Sequence, residues 1–231
     1  MAAPASTSSL DNPILAALTG RHAGFARTAG RALRYPADVS PMAALREPDA
    51  GAFDDLARLV DPGETIALVT RRTLAVPAGW EVLLGRFIDQ MAYAGGPLPL
   101  PAQAPARLGA DDVPDMLALT ALTKPGPFLA QTHRMGRYYG LRSPEGRLMA
   151  MTGERLTADD FTEISAVCTH PDFAGRGLAR QLVTYVLAQL LAEDRFTILH
   201  VKTENDCAKR LYEKLGFRAS GEMSFVVLRR R

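Results

Sequence analysis

The chain contains little cysteine and histidine, and neither residue type is clustered. Of 231 residues, two are cysteine and four are histidine. The histidines have no metal-ligand spacing among themselves or with the cysteines, so no metal site is predicted. Because no secretory signal precedes them, Cys168 and Cys207 are interpreted as reduced thiols, and a cytoplasmic location is expected.

Long apolar runs are also missing. The longest are interrupted by Thr184 or Gln189 and are too short to span a bilayer, so no membrane partner is predicted. A net charge of only +2 argues against a nucleic-acid partner, and residues 229–231, three arginines, are interpreted as a solvated tail. No Gly-x-x-x-x-Gly-Lys-Ser/Thr sequence occurs, which weakens the alternative of a nucleotide-phosphate-binding protein.

Prolines divide the chain. Four of them between residues 95 and 106 exclude regular helix and central strand, so this segment is predicted to be an extended linker. On this basis residues 1–11 are a disordered leader, residues 12–94 an N-terminal α/β domain and residues 107–231 a C-terminal domain. Within the N-terminal part, the type of element formed by residues 80–94 stays open.

A strand pattern precedes the most informative loop of the chain. Apolar and polar side chains alternate over residues 163–169, and Pro171 ends the pattern. Two faces are therefore predicted, one with Ile164, Ala166 and Cys168 and the other with Ser165, Val167 and Thr169.

The loop itself is glycine-rich and leads into a helix. Gly175 and Gly177 are followed by apolar residues at helical spacing. Unpaired backbone N–H groups at a helix N-terminus form an anion site, and Arg176 and Arg180 add positive charge. A pyrophosphate held mainly by backbone amides is the expected ligand, although the same pattern also occurs as a plain turn.

Two linked motifs resemble the GNAT superfamily of acetyl-CoA-dependent N-acetyltransferases. The family loop, Arg/Gln-x-x-Gly-x-Gly/Ala, is matched at its fourth and sixth positions by residues 174–179, with Ala174 in place of the first Arg or Gln. The family element Asn-x-x-Ala-x-x-x-Tyr-x-x-x-Gly-Phe is matched closely by residues 205–217. The resemblance covers roughly residues 106–231 and is closest to the branch that includes glycine N-acyltransferase-like proteins.

This resemblance implies a fold and a reaction. The expected fold is a mixed α/β sheet, with a GNAT fold in the C-terminal half and a smaller N-terminal α/β domain. That domain is either a degenerate GNAT-like repeat or an unrelated lid or packing domain. The expected reaction is direct transfer of an acetyl group from acetyl-CoA to a primary amine of a small molecule or peptide. The alternative is a non-catalytic acetyl-CoA-sensing module, and a homodimer is left open.

The resemblance also assigns the cofactor-binding residues. The backbone of the central strand is expected to pair with the pantetheine arm, and the glycine loop to hold the pyrophosphate. The helix that begins near residue 205 is expected to border the pantetheine. The predicted binding residues are Val167, Cys168, Thr169, Gly175, Arg176, Gly177, Leu178, Ala179, Arg180, Asn205 and Ala208.

Two residues are expected to move protons. Tyr212 is the candidate general acid for the leaving thiolate; the alternative is a half-buried aromatic with a hydrated hydroxyl. Glu163 is the candidate base, with a pKa raised by desolvation, and Glu154 is its rival. The alternative for Glu163 is a solvated charge at a strand end. The proline-rich loop at residues 123–128 is expected to contact the acceptor.

Overall fold

One mixed sheet organises the molecule. In a computed structural model, which describes residues 6–99 and 104–231, eleven strands form a single sheet. The strands are β1 (Arg27–Ala29), β2 (Ala32–Arg34), β3 (Met42–Leu45), β4 (Thr65–Thr70), β5 (Trp80–Tyr93), β6 (Ala106–Leu108), β7 (Tyr138–Arg142), β8 (Leu148–Thr157), β9 (Thr162–Thr169), β10 (Thr197–Lys202) and β11 (Phe217–Arg230). Their order is β1-β2-β3-β4-β11-β5-β10-β9-β8-β7-β6, and the pairs β3/β4 and β9/β10 are parallel.

Helices cover both faces of this sheet. They are α1 (Thr7–Asp11), α2 (Pro13–Thr19), α3 (Ala50–Ala57), α4 (Val113–Thr123), α5 (Leu178–Ala192) and α6 (Asp206–Lys214). Because side chains alternate along a strand, Met42 and Ala44 pack in the cluster that contains α2, whereas Ala43 and Leu45 pack in the cluster that contains α3. The predicted mixed α/β fold is confirmed.

The sheet continues through both halves of the chain. β5 lies between β10 and β11, so a strand from the first half occupies the centre of the sheet. The expected boundary at residues 95–106 therefore does not divide the sheet, and residues 100–103 of that segment lie outside the described residues. The sequence did not decide which type of element residues 80–94 form. In the structure they contain a strand of 14 residues, Trp80–Tyr93.

Both ends of the chain are more ordered than the sequence suggested. Residues 1–5 of the expected leader lie outside the described residues, but Thr7–Asp11 is a helix. It is held because Arg71 Nε lies 2.8 Å from Asp11 Oδ1, and the Gln90 side chain donates to the carbonyl of Leu10. At the other end, Arg229 and Arg230 belong to β11 instead of forming a solvated tail.

A bulge interrupts β9 in the middle of its pairing with β8. Ala166 and Val167 together face the single residue Thr152, and Ala166 has a φ of +53°. A bulge of this kind adds one residue to one strand and bends it. A non-glycine residue in the left-handed region carries strain of about 1 to 2 kcal/mol, which the neighbouring strands must offset.

The bulge reverses the predicted alternation of β9. Ile164 and Val167 pack in the cluster that contains α5, whereas Ala166 and Cys168 pack in the cluster that contains α4. The expected grouping of Ile164 with Ala166 and Cys168 was wrong, because an extra residue shifts every later side chain to the opposite face.

Substitution of Ala166 tests the left-handed backbone. Ala166→Val should lower the free energy of unfolding by about 2 kcal/mol or more, because a branched Cβ is disfavoured at positive φ. Ala166→Gly should stay within about 0.5 kcal/mol of the wild type, since relief of strain offsets the entropy of glycine.

Urea denaturation measures both values. Ala106→Gly, on an exposed extended residue of β6, is the matched control and should lose about 0.5 to 1 kcal/mol. An Ala166→Val protein as stable as the wild type contradicts the bulge.

Candidate active site

β9 and β10 separate where the site begins. Their parallel pairing consists of Thr162 with Thr197 and Glu163 with Ile198, and the strands diverge beyond Glu163. A cleft of about 730 Å³ opens at this fork. The free edge of β9, the glycine loop and one face of α6 all border it. The three elements that the sequence singled out therefore meet in one place.

The glycine loop presents a set of unpaired donors to the cleft. Gly175 and Gly177 have φ values of +76° and +75°, and Gly177 is the N-cap of α5. None of the six backbone N–H groups from Gly175 to Arg180 has an acceptor among the described residues. Together with the positive end of the α5 dipole, these donors form an anion site of the predicted kind.

The charge of the cleft has one sign. None of its described lining residues is Asp or Glu. Arg176 packs over the ring of Phe173 with its Cζ 5.1 Å from the ring centroid, and its guanidinium donates to the carbonyl of Asp172. The basic lining residues are Lys124, Arg155, Arg176, Arg180 and Lys202. A cleft with this lining favours a polyanionic ligand.

Residues of α6 complete the cleft. The Asn205 side chain accepts from the N–H of Ala208 at 3.1 Å, which fixes the start of the helix as predicted. Tyr212 lies seven residues after Asn205, about two turns along the same face of α6, and is 7% exposed. Burial, with a smaller contribution from the neighbouring Cys168 thiol, raises the pKa of the Tyr212 hydroxyl. Because its pKa is raised, that hydroxyl is protonated near neutral pH and can donate a proton.

The predicted binding residues of β9 divide between the two faces. Val167 and Thr169 line the cleft, whereas the side chain of Cys168 is turned towards the cluster with α4. Burial raises the pKa of the Cys168 thiol to about 11, so the thiol is unreactive near neutral pH. Cys168 can contribute to the cleft only through its backbone.

The expected raised pKa of Glu163 was wrong. Glu163 is fully buried and does not line the cleft. Both its oxygens accept from Arg155, at 2.9 and 2.6 Å, and one also accepts from His200 Nδ1 at 2.7 Å. Burial alone would raise the pKa, but the charge of Arg155 and the hydrogen bonds from both partners outweigh it and lower the pKa to about 2.

Glu154, the rival base, is no closer to the chemistry. It is buried and accepts from Arg137 Nε at 2.6 Å, and it does not line the cleft. The two partners of Glu163, Arg155 and His200, do line the cleft, and neither was predicted from the sequence. The signal was present in the sequence, since a charged or polar residue on each of three predicted central strands indicates a buried ionic cluster.

A second, smaller cleft adjoins the first. It measures about 220 Å³, and the two clefts share Pro125, Arg155, His200, Val201 and Lys202 as lining residues. The proline-rich loop at residues 123–128, where acceptor contacts were expected, borders both clefts. The fork therefore has two sides that communicate past Arg155 and His200.

Over residues 6–99 and 104–231, no three His, Cys, Asp or Glu side chains are grouped as metal ligands would be. No helix within these ranges has both the length and the apolar character needed to cross a membrane.

Comparison with known proteins places the chain in a family. It is 36% identical to a protein from Novosphingobium aromaticivorans DSM 12444 that is assigned to the GNAT family of acetyltransferases; the match covers 96% of this chain and 98% of that one, with a TM-score of 0.89. The family model for FR47-like proteins matches residues 138–226. The chain therefore belongs to the GNAT family, and membership implies the use of acetyl-CoA.

More distant structures share the fold alone. A GCN5-related N-acetyltransferase from Kribbella flavida is 20% identical, with 94% of this chain and 95% of that chain covered and a TM-score of 0.63. A GCN5-related N-acetyltransferase-like protein from Streptococcus suis 89/1591 is 12% identical, with 93% of each chain covered and a TM-score of 0.59. Comparison with curated proteins finds no relative.

The lowered pKa of Glu163 predicts how stability depends on pH. Because the folded-state pKa lies below the unfolded value of 4.5, the ionised carboxylate stabilises the fold above about pH 4.5 and this contribution is lost as the pH falls towards 2. The shift corresponds to about 3 kcal/mol. Glu163→Gln should abolish this pH dependence, and at pH 7 it should cost about 3 to 5 kcal/mol because Arg155 is left buried and unpaired.

Chemical denaturation at several pH values measures this effect. Glu222→Gln, at an exposed position of β11, is the matched control and should keep the wild-type profile. If Glu163→Gln loses stability between pH 5 and 2 as steeply as the wild type, the buried pair is not ionised as described.

Proposed function

We propose that the protein transfers an acetyl group from acetyl-CoA to a primary amine by direct attack within a ternary complex. One observation carries this proposal. At the fork of β9 and β10, unpaired backbone donors, a free strand edge and Tyr212 border one cleft, and none of its lining residues in the described part of the chain is acidic. The 36% identical relative from Novosphingobium aromaticivorans supports the same activity.

The residues present fit acetyl-CoA. The N–H groups from Gly175 to Arg180 suit a pyrophosphate, and the Arg176 and Arg180 side chains supply the charge that Ala174 does not. The unpaired edge of β9 from Ser165 to Thr169 offers backbone groups to an extended amide-containing arm. Each of these contacts is available without rearrangement of the fold.

The reaction needs one proton donor and one place for the amine proton to go. As the amine nitrogen bonds to the acetyl carbon, the carbon–sulfur bond breaks and the thiolate takes a proton from the Tyr212 hydroxyl. A backbone N–H near Val167 would stabilise charge on the acetyl oxygen without reorganisation. No acyl-enzyme is required, and Cys168 is turned away with a raised pKa.

Glu163 has a different role in this proposal from the one that the sequence suggested. A carboxylate with a pKa near 2 and three hydrogen bonds is a poor general base near neutral pH. We assign it to holding Arg155 and His200 at the fork. The amine then reacts in its neutral form, and its nitrogen releases one of its two protons to water while solvent returns a proton to Tyr212.

A sensing module without catalysis is the second candidate. It would share the loop and the strand edge but would not need the Tyr212 hydroxyl. Assignment to the branch that includes glycine N-acyltransferase-like proteins rests on the resemblance over residues 106–231, and it remains part of the proposal, as does a cytoplasmic location. Turnover is the discriminating observation.

Acetyl-CoA should protect one of the two cysteines. Cys207 is exposed and borders the cleft, whereas Cys168 is buried. Acetyl-CoA at saturation should therefore slow alkylation of Cys207 by N-ethylmaleimide by about tenfold or more, because a bound ligand excludes the reagent. Cys168 serves as the internal control and should not react in either state. Equal protection by ATP would favour a general nucleotide-phosphate site over one for acetyl-CoA.

Removal of the Tyr212 hydroxyl separates catalysis from sensing. Tyr212→Phe should lower kcat by about 10² to 10⁴, the usual contribution of a positioned acid, while the affinity for acetyl-CoA stays within about twofold. The free energy of unfolding should change little, since phenylalanine keeps the ring that packs against Phe217. Tyr185→Phe, on the half-buried face of α5, is the control and should retain full activity. Steady-state release of CoA measures kcat. A Tyr212→Phe enzyme with the kcat of the wild type would show that Tyr212 is not the general acid.

A further inference from the structure

The second cleft has a floor, a roof and an end wall. Its floor is a row across three strands, in which Val69 pairs with Phe225 and Phe225 pairs with Arg86. Its roof is the loop Pro125-Gly126-Pro127, and Arg155 and His200 form the wall towards the cofactor cleft. A ligand in this cleft would therefore approach the fork from the side opposite the glycine loop.

Most of the lining is apolar. Leu84 and Ile88 of β5 continue the floor on either side of Arg86, because alternate residues of a strand share a face. Met42 and Leu156 close the deep end. The volume of about 220 Å³ is below the range of about 300 to 1,000 Å³ typical of drug-sized ligands, so the cleft suits a small molecule with an apolar body.

The charged groups of this cleft are all basic. None of its described lining residues is Asp or Glu. Arg86 pairs with Glu204 through one nitrogen at 3.1 Å, but its Nε is buried without a hydrogen-bond partner among the described residues. Lys202 is exposed, and no residue within 6–99 or 104–231 forms an ion pair with it. An anionic group on a ligand would satisfy both Arg86 and Lys202, whereas an ammonium group of a ligand at the same place would be repelled by them.

We propose that the acceptor is a small amine that carries an apolar side chain and a carboxylate, as an apolar amino acid does. The apolar part lies on the floor formed by Val69, Phe225 and Leu84. The carboxylate is held at Arg86 and Lys202, and the amine points past Arg155 and His200 to the fork. This assignment rests on the proposed acetyltransferase function.

The same charges assist the chemistry. Positive groups near an amine disfavour its ammonium form and so lower its pKa, which increases the fraction that can attack. Arg155 and Glu163 offset each other as a pair, which leaves Lys202 as a positive charge in the lining of both clefts. A neutral amine is therefore reached without a carboxylate base among the residues that the structure describes around either cleft.

Matched acceptors test the assignment by release of free CoA. Leucine and phenylalanine should show kcat/KM values at least about tenfold above those of their carboxamides and of 3-methylbutylamine and phenethylamine, because a charge-assisted contact is lost in the latter. Spermidine and a peptide with a free N-terminus should be poor acceptors. A panel in which the uncharged amines, spermidine or the peptide react best overturns the assignment.

Arg86→Gln tests the site itself. It should raise KM for leucine by about tenfold or more and reduce the preference for leucine over leucinamide, with the KM for acetyl-CoA unchanged. Arg229→Gln, which breaks the comparable surface pair with Glu81 at the end of β11, is the control and should behave as the wild type. An unchanged preference in Arg86→Gln overturns the role of this arginine.

Failure of this assignment can be told from failure of the proposed function. If acetyl-CoA protects Cys207 but no amine in the panel releases CoA, the transferase activity is wrong and the acceptor assignment falls with it. If amines are acetylated with no advantage for a carboxylate, the transferase stands and only the acceptor assignment is wrong.

Discussion

The buried ion pair between Glu163 and Arg155 holds the fork on which the site depends. Glu163 is the last residue of β9 that pairs with β10, and its carboxylate binds Arg155 of β8 and His200 of β10. One side chain therefore ties three strands together where two of them begin to separate. Without it, the divergence of β9 from β10 would have no fixed starting point, and neither cleft would have a defined wall.

Burial of this pair is costly unless every polar atom is satisfied. The carboxylate accepts three hydrogen bonds, and the other ring nitrogen of His200 lies 3.2 Å from the Gln90 side-chain nitrogen. Gln90 is in turn held by Arg71 at 2.8 Å. The negative charge of Glu163 is thus neutralised inside the protein by Arg155 and does not reach either cleft. The described lining residues of both clefts accordingly include basic groups and no acidic ones. This arrangement is consistent with the anionic ligands proposed for both clefts.

Local patterns predicted the elements of the site, but not their relative orientation. The N-cap at Asn205 and the glycine loop were readable because they depend on residues close in sequence. The bulge at Ala166 was not, since no turn residue marks it and it depends on the register of β9 against the preceding strand β8. The role of Glu163 was missed for the same reason, because its pKa is set by Arg155 and His200, which only the tertiary structure brings near.

The continuous sheet gives the first half of the chain a function. In a separate domain, β4 and β5 would lie away from the fork; here β5 inserts between β10 and β11, so its side chains reach the wall formed by Arg155 and His200. In the proposed function, the GNAT motifs of the second half bind the acyl donor, while β4 and β5 of the first half, together with β11, provide the floor of the second cleft. Differences in acceptor choice among relatives are therefore expected to map to residues of β4, β5 and β11 that face this floor, and not to the glycine loop.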